Sequence, residues 1–295
     1  MANTFTSAAL TLMSDLALPY LKAKAPLISA FSTNLSADVV SKGTGVFVTY
    51  TAPASASIWT STFAPSAQTI TGVTVTMREP YFRSAGFSPN EIASYTPEGL
   101  VTKVVGPQIN DVLTEVHKQV YFTFNTSNVT NTVYSGSGIL FNFTASQAGA
   151  QFLDTSGSSK NVALFNSVLD YALDANLSSN FGAAAGVVNG TNVDGRKVGK
   201  LDQVFPAYNL PTFGVGVAGI ACSPDSIAIA TRIPDVASPN AQVFVTQDPQ
   251  SGLAVATAMH VDDTLGQFII KSYLSVGLSF GRPGMAAYYK DLDHV

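Results

Sequence analysis

From Gly43 to Met77 the chain carries no charged side chain, and the same holds from Gln119 to Leu153 and from Gln203 to Pro224. None of these stretches is a membrane span. Ser, Thr, Asn, Gly and Pro interrupt each of them well before the ~18 consecutive apolar residues that a spanning helix needs. A surface that meets only water normally carries Lys and Glu for solubility, whereas one that meets other subunits loses them. Charged residues make up 12% of this chain, against about 25% in an ordinary soluble domain. The deficit marks surface made for contact with other protein.

At 295 residues the chain suits one large domain or two intertwined ones with ample core. Its 46% hydrophobic content excludes a mostly disordered chain. A net charge of −4 gives no footprint for gripping nucleic acid, which takes clustered Lys and Arg, and no polybasic membrane anchor. Cys222 is the single cysteine; it can form neither an internal disulfide nor a cysteine-based zinc site, and it reads as a small buried apolar residue. A secretory leader is not expected, because no basic residue precedes the first apolar segment and Asp15 interrupts it.

Thr6 or Ser7 can cap a helix with Leu10, Met13, Leu16 and Ala17 on one face, which Pro19 is expected to end. Leu27, Ile28 and Phe31 extend this segment into an apolar arm. With little of its own chain to pack on, the arm is expected to lie on a neighbour. Gly45–Thr51 and Ile70–Met77 alternate as strands. Together they frame a projecting hairpin whose uncharged tip holds Trp59 and Phe63. The run Ser88-Pro89-Asn90-Glu91 has capping-box spacing with proline at the first helical position, and Thr96-Pro97-Glu98 starts another helix. From there Leu100, Val104, Ile109, Val112, Leu113, Val116 and Val120 follow helical spacing, and Pro107 is expected to kink or divide the helix. About 24 residues would span about 36 Å.

Beyond this helix, residues 121–143 read as strands and turns, Thr144–Leu153 as a short helix, and Asn161–Leu173 as an extended piece leading into a helix. Gly182–Gly199 reads as a glycine-rich surface loop. Short strands follow at Ile227–Arg232, Gln242–Thr246, Leu253–His260, Phe268–Phe280 and Ala286–Tyr289. The mixture is α+β, with the long helix lying on a sheet.

Catalytic motifs are hard to find. Gly214, Gly216 and Gly219 match the letters of a dinucleotide fingerprint, but Pro211 precedes them and Ser223-Pro224 breaks the chain where the helix should run. They read instead as a glycine-rich strand against a neighbouring backbone. His117, His260 and His294 have no partner at metal-ligand spacing, and no nucleophile elbow is present. Asp262-Asp263 and Asp291 with Asp293 read as a solvated turn and tail. The expectation is therefore no catalytic, cofactor-binding or metal site.

The order of segments resembles the major capsid (coat) proteins of tailed double-stranded-DNA bacteriophages, in particular those of short-tailed phages. The resemblance is carried by the opening Met-Ala-Asn-Thr-Phe-Thr, by Gly43–Tyr50 and Val73–Phe87 as strands flanking an extended loop, and by Ser-Pro-Asn-Glu-Ile-Ala leading into a long helix. Tyr-Asn-Leu-Pro at 208–211, the Ala-Ile-Ala core within Ala221–Ile233, and Ser272–Arg282 running into Gly-Arg-Pro complete it.

That resemblance implies an N-terminal arm (1–42), an extended β-hairpin loop (43–80), a peripheral domain with a long spine helix (81–123 and 225–295) and an axial domain (124–224). It implies a structural, non-enzymatic protein without a cofactor. Many copies, as pentamers and hexamers, would self-assemble in the host bacterial cytoplasm into an icosahedral virion shell around the phage genome. Portal and decoration proteins are implied partners, any scaffolding protein is expected to be separate, and contact with packaged double-stranded DNA is expected to be loose. Some shells of this kind weld a loop lysine to a neighbour's asparagine; here no lysine lies between Lys42 and Lys103. Trp59, Phe63, Leu27, Ile28 and Phe31 are the candidate intersubunit contacts. An encapsulin-like bacterial compartment, or a secreted carbohydrate-binding or adhesive β-protein, stands as the alternative.

Overall fold

In the computed structural model the described residues are 5–51, 70–124, 127–181, 188–189, 196–207, 216–235, 241–262 and 264–293. The chain opens with α1 (Ser7–Lys22), capped by Thr6, whose hydroxyl accepts the Ala9 N–H. Pro19 lies inside this helix and does not end it. The carbonyl that the proline deprives of its helical partner belongs to Asp15, an exposed residue. Met13, Ala17 and Leu21, four residues apart, form the buried stripe.

After α2 (Ala25–Ser29), β1 (Ser32–Val40) joins a sheet that sequence reading does not assign it to. Next come β2 (Gly45–Thr51) and β3 (Ile70–Thr76), paired antiparallel as a hairpin of their own, and then β4 (Tyr81–Phe87). The expected capping box is formed at α3 (Pro89–Ala93): Ser88 Oγ accepts the Glu91 N–H, and the Glu91 carboxylate accepts the Ser88 N–H at 2.7 Å.

The long helix is continuous over 97–123, but not uniform. It begins as α4 (Pro97–Leu100), widens into a π turn over Val101–Val105, and continues as α5 (Gly106–Thr123). The Gly106 N–H bonds Val101 O, one residue farther back than in an α-helix. That extra residue falls directly before Pro107, and so absorbs the proline without a break. Tyr121 and Phe124, expected in a strand, instead extend the buried stripe of Val112, Val116 and Val120.

The remaining elements are β5 (Asn131–Gly136), α6 (Phe143–Thr155), β6 (Val162–Phe165), α7 (Ser167–Phe181), β7 (Val188–Asn189), β8 (Arg196–Val198), β9 (Leu201–Pro206) and β10 (Val217–Cys222). They are followed by β11 (Ile227–Pro234), β12 (Gln242–Gln247), β13 (Ala254–Asp262), β14 (Gln267–Phe280) and β15 (Ala286–Asp291).

Two large sheets result. The first centres on β14, which pairs with β13 and β4 along 268–273 and with β11 along 275–280. Strand β12 extends it beyond β13, and β1 lies parallel to β11. The second runs β5-β15-β10-β6-β9-β8-β7. Strand β15, late in the chain, returns to the second sheet, between β5 and β10.

Alternation along the second sheet shows how the two halves share a core. Val162, Leu164, Ile220, Cys222, Ala286 and Tyr288 belong to the main apolar cluster together with α1, α2, α5 and the first sheet. Their strand neighbours Ala163, Phe165, Ala221 and Tyr289 face α6 and α7 in a second cluster. Both faces of these strands are covered, so they read as near-continuous apolar runs.

Candidate functional site

Several of the residues that could have carried chemistry hold structural places. Gly214 lies outside the described residues. Gly216 sits at φ 80° just before β10, and Gly219 lies within it. A Cβ on Gly219 would stand 3.0 Å from Leu164 O and 2.8 Å from the Phe165 ring. This is close packing between strands, with no long helix after it to receive a phosphate; the next turn is a three-residue 3-10 segment, Pro224–Ser226.

His117 Nε2–H donates to Lys24 O at 2.9 Å, tying the long helix to the corner between α1 and α2. Burial of the ring holds its pKa down to about 4. His260 lies near the end of β13, and His294 lies outside the described residues. Cys222 is fully buried, and burial pushes its thiol pKa far up. Among the described residues no cluster of His, Cys, Asp or Glu is placed to hold a metal ion, and no helix is long and apolar enough to cross a membrane.

Asp262 does cap a turn, accepting the Thr264 and Leu265 N–H groups; Asp263 lies outside the described residues. Asp291 is not part of a solvated tail. It is buried, and its carboxylate accepts the Gly138 N–H at 2.8 Å and the Asp293 N–H at 3.0 Å. A second buried acid, Asp170 on α7, pairs at 2.5 Å with the buried guanidinium of Arg196 on β8, which also engages Asp174.

The β2–β3 hairpin docks by its base on the first sheet: Val46, Val48, Val75 and Met77 pack on Ala228 and Ala230 of β11. Small residues on the sheet allow this approach. A Cβ on Gly277 of β14 would meet Val75 Cγ1 at 2.6 Å and Thr76 O at 2.8 Å. Lys42 and Glu79 form an ion pair across the base of the hairpin. Beyond Thr51 and before Ile70 lie Trp59 and Phe63, both outside the described residues.

The apolar arm requires a correction. Leu27 and Phe31 are 4% exposed and Ile28 is fully buried, all within the main cluster of their own chain. Phe31 packs against Phe124 at 6.0 Å between ring centroids. The segment does have its own chain to lie on: Phe124 at the end of α5 meets Phe31, and all three residues join the cluster that α1, α5 and both sheets build. These three residues are core.

Sequence reading misses the most exposed apolar group among the described residues. Ile139 and Leu140 are 73% and 72% exposed on a 3-10 turn (Gly138–Leu140), and Tyr171 on α7 is 66% exposed. They border a cleft of about 690 Å³ whose lining includes Phe141, Val168 and Ala175 and no charged side chain. The alternation at 139–143 suggests a strand. The available contrary signals are Gly136 and Gly138 on one side and Asn142 on the other, whose Oδ1 accepts the Ala145 N–H at the start of α6.

Comparison with known proteins gives a fold and no close relative. No family model matches the sequence, and no curated protein does. Among solved structures, a chain from the capsid of the cyanophage P-SCSP1u superposes with a TM-score of 0.52 at 10% identity, over 89% of this chain and 86% of that one. This chain has the fold of a phage capsid chain. A structure from Gordonia phage Cozz (TM-score 0.49, 13% identity, 90% of this chain and 85% of that one) and one from the capsid of an empty GTA particle (0.47, 15%, 91% and 97%) are also similar.

Proposed function

We propose that this chain is the major capsid protein of a tailed bacteriophage, a structural rather than catalytic subunit. Many copies, arranged as pentamers and hexamers, close into an icosahedral shell around a double-stranded DNA genome. A shared fold does not by itself carry a function. The observation that carries this one is the pairing of a phage-capsid fold with a charge-free stretch, 43–77, whose described strands pack by Val46, Val48, Val75 and Met77 on the first sheet. A free monomer gains nothing from so long a stretch without charge, whereas a subunit of a shell uses one for contact. The deficit of charge along 119–153 and 203–224 supports the same reading.

In this reading the first sheet with the 97–123 helix is the peripheral part of the subunit, and the second sheet with α6 and α7 is the axial part. Trp59 and Phe63 at the hairpin tip anchor neighbouring copies. Assembly takes place in the host cytoplasm, with a separate scaffolding protein, a portal and optional decoration proteins. The net charge of −4 keeps contact with packaged DNA loose.

Negative-stain microscopy of the purified protein, alone and with its scaffold, tests the proposal. Closed particles of uniform diameter are expected. Monomers or small oligomers under all these conditions would overturn it.

A further inference from the structure

We infer that the Ile139–Leu140 turn and the cleft beside α7 form a seat for a neighbouring copy of this chain; the inference rests on the shell reading above. The turn is held in place before any partner arrives. Buried Asp291 accepts the Gly138 N–H at 2.8 Å, and a Cβ on Gly138 would collide with that carboxylate. Tyr134 donates its hydroxyl to Ser137 O at 2.9 Å. A rigid backbone thus pushes two large apolar side chains into water, and preorganisation of this kind lowers the cost of binding.

The cleft matches the turn in chemistry. The oxygens of its two amides are engaged by the chain's own backbone, Asn142 Oδ1 accepting the Ala145 N–H and Asn176 Oδ1 accepting the Phe143 N–H at 3.0 Å. The lining holds no charged side chain and is otherwise apolar but for the Tyr171 hydroxyl. A charged occupant would find no ion-pair partner there for the hydration it gives up. This chain itself offers three long uncharged stretches.

Size decides between a second copy and an unrelated partner. Three exposed side chains and the cleft floor amount to a patch of a few hundred Å², well below the ~800 Å² per partner of a stable binary complex. Alone, such a seat would not hold a separate protein. It suffices for a copy that other contacts of a closed assembly already hold nearby.

Two measurements test this. Leu140→Asp should leave the subunit's circular dichroism and melting unchanged, because the side chain is already exposed, and should raise the protein concentration needed for particle formation about tenfold or more. Leu140→Met should assemble as the unmodified chain does. Separately, Leu140→Cys labelled with an environment-sensitive fluorophore places the dye at the seat alone, since Cys222 is buried. A blue shift on assembly is expected. Normal assembly of Leu140→Asp, or a dye that stays in water within the particle, overturns the inference and leaves the shell reading intact. A dye that shifts only when a separate protein is added overturns it as well. Should the unmodified chain form no particles, the shell reading fails, and a sedimentation coefficient that never rises with concentration removes the seat too.

Discussion

Gly277 of β14 lies against the backbone of Thr76, so that any Cβ at 277 would stand 2.8 Å from the Thr76 carbonyl oxygen. The hairpin base rests on this contact, and a backbone carbonyl cannot rotate out of the way as a side chain can. Gly277→Ala is expected to destabilise the subunit by about 1–3 kcal/mol, the usual cost of overpacking. Gly284→Ala, whose Cβ would meet nothing within 4 Å, should stay within about 0.5 kcal/mol. Urea midpoints of the two variants make the comparison, and equal midpoints would mean that the hairpin base yields.

Gln108 fixes the register of the long helix on the first sheet. Its Nε2 donates to Ile270 O at 3.1 Å, its Oε1 accepts the Ser272 hydroxyl at 3.1 Å, and Ser272 is within 3.0 Å of Thr257 Oγ1. All three side chains are buried. Gln108→Ala removes two of these bonds and opens a small void, and should cost about 1–3 kcal/mol. Adding Ser272→Ala should cost less than the sum of the single changes, because the two residues share a bond. Additive losses would show that they act separately.

Much of this fold is legible in the sequence where local chemistry decides the outcome. The capping box at Ser88, the strands from Ile227 onward and the helical stripe from Leu100 to Val120 stand where their residue patterns put them. The misses share a cause. Pro19 and Pro107 read as breaks because a proline removes a bond, yet α1 runs on through Pro19, whose lost bond falls at exposed Asp15, and a π turn at Val101–Val105 precedes Pro107. Strand β1, partly exposed and polar, carries no apolar alternation to announce it; its pairing with β11 is a tertiary matter. Leu27, Ile28 and Phe31 read as lacking a partner because the surface that covers them comes from residues far along the chain. For Ile139 and Leu140, exposure rather than pattern makes the surface, and exposure is not written in spacing.

No lysine lies between Lys42 and Lys103, so the hairpin has no amine with which to form a covalent link to a neighbour's asparagine. Particles boiled in denaturant should migrate as one band near 30.8 kDa. A ladder of multiples would reveal another cross-linking residue.

Trp59 is the single tryptophan, and with Phe63 it sits in a segment too polar and proline-interrupted to build a core. An aromatic of this size removes ~150–250 Å² from water when buried. At ~25 cal/mol per Å² that is at most ~4–6 kcal/mol per contact, before the entropic cost of association. Trp59→Ala should leave the free subunit's melting nearly unchanged and impair particle formation. Unfolding of the free subunit would place Trp59 in its own core instead.

His117 makes the subunit sensitive to acid. Its pKa is about 4 when folded, against 6.5 for an ordinary histidine, because burial disfavours the imidazolium and nearby Lys24 adds repulsion. A base whose pKa is lowered by folding takes up protons more readily in the unfolded chain. Its contribution to stability is therefore complete above pH 6.5 and is lost as pH falls toward 4. At ~1.4 kcal/mol per unit the full loss is about 3 kcal/mol, and about 2 kcal/mol is gone by pH 5. These are upper bounds, since the residue keeps some solvent contact. Carboxylates also titrate near the bottom of this range, so the informative quantity is the difference between variants. His117→Gln, which keeps a donor for Lys24 O and has no proton to gain, should lose less stability between pH 7 and pH 5 than the unmodified chain does. Parallel curves for the two proteins in urea would show that the ring takes no part in the acid response.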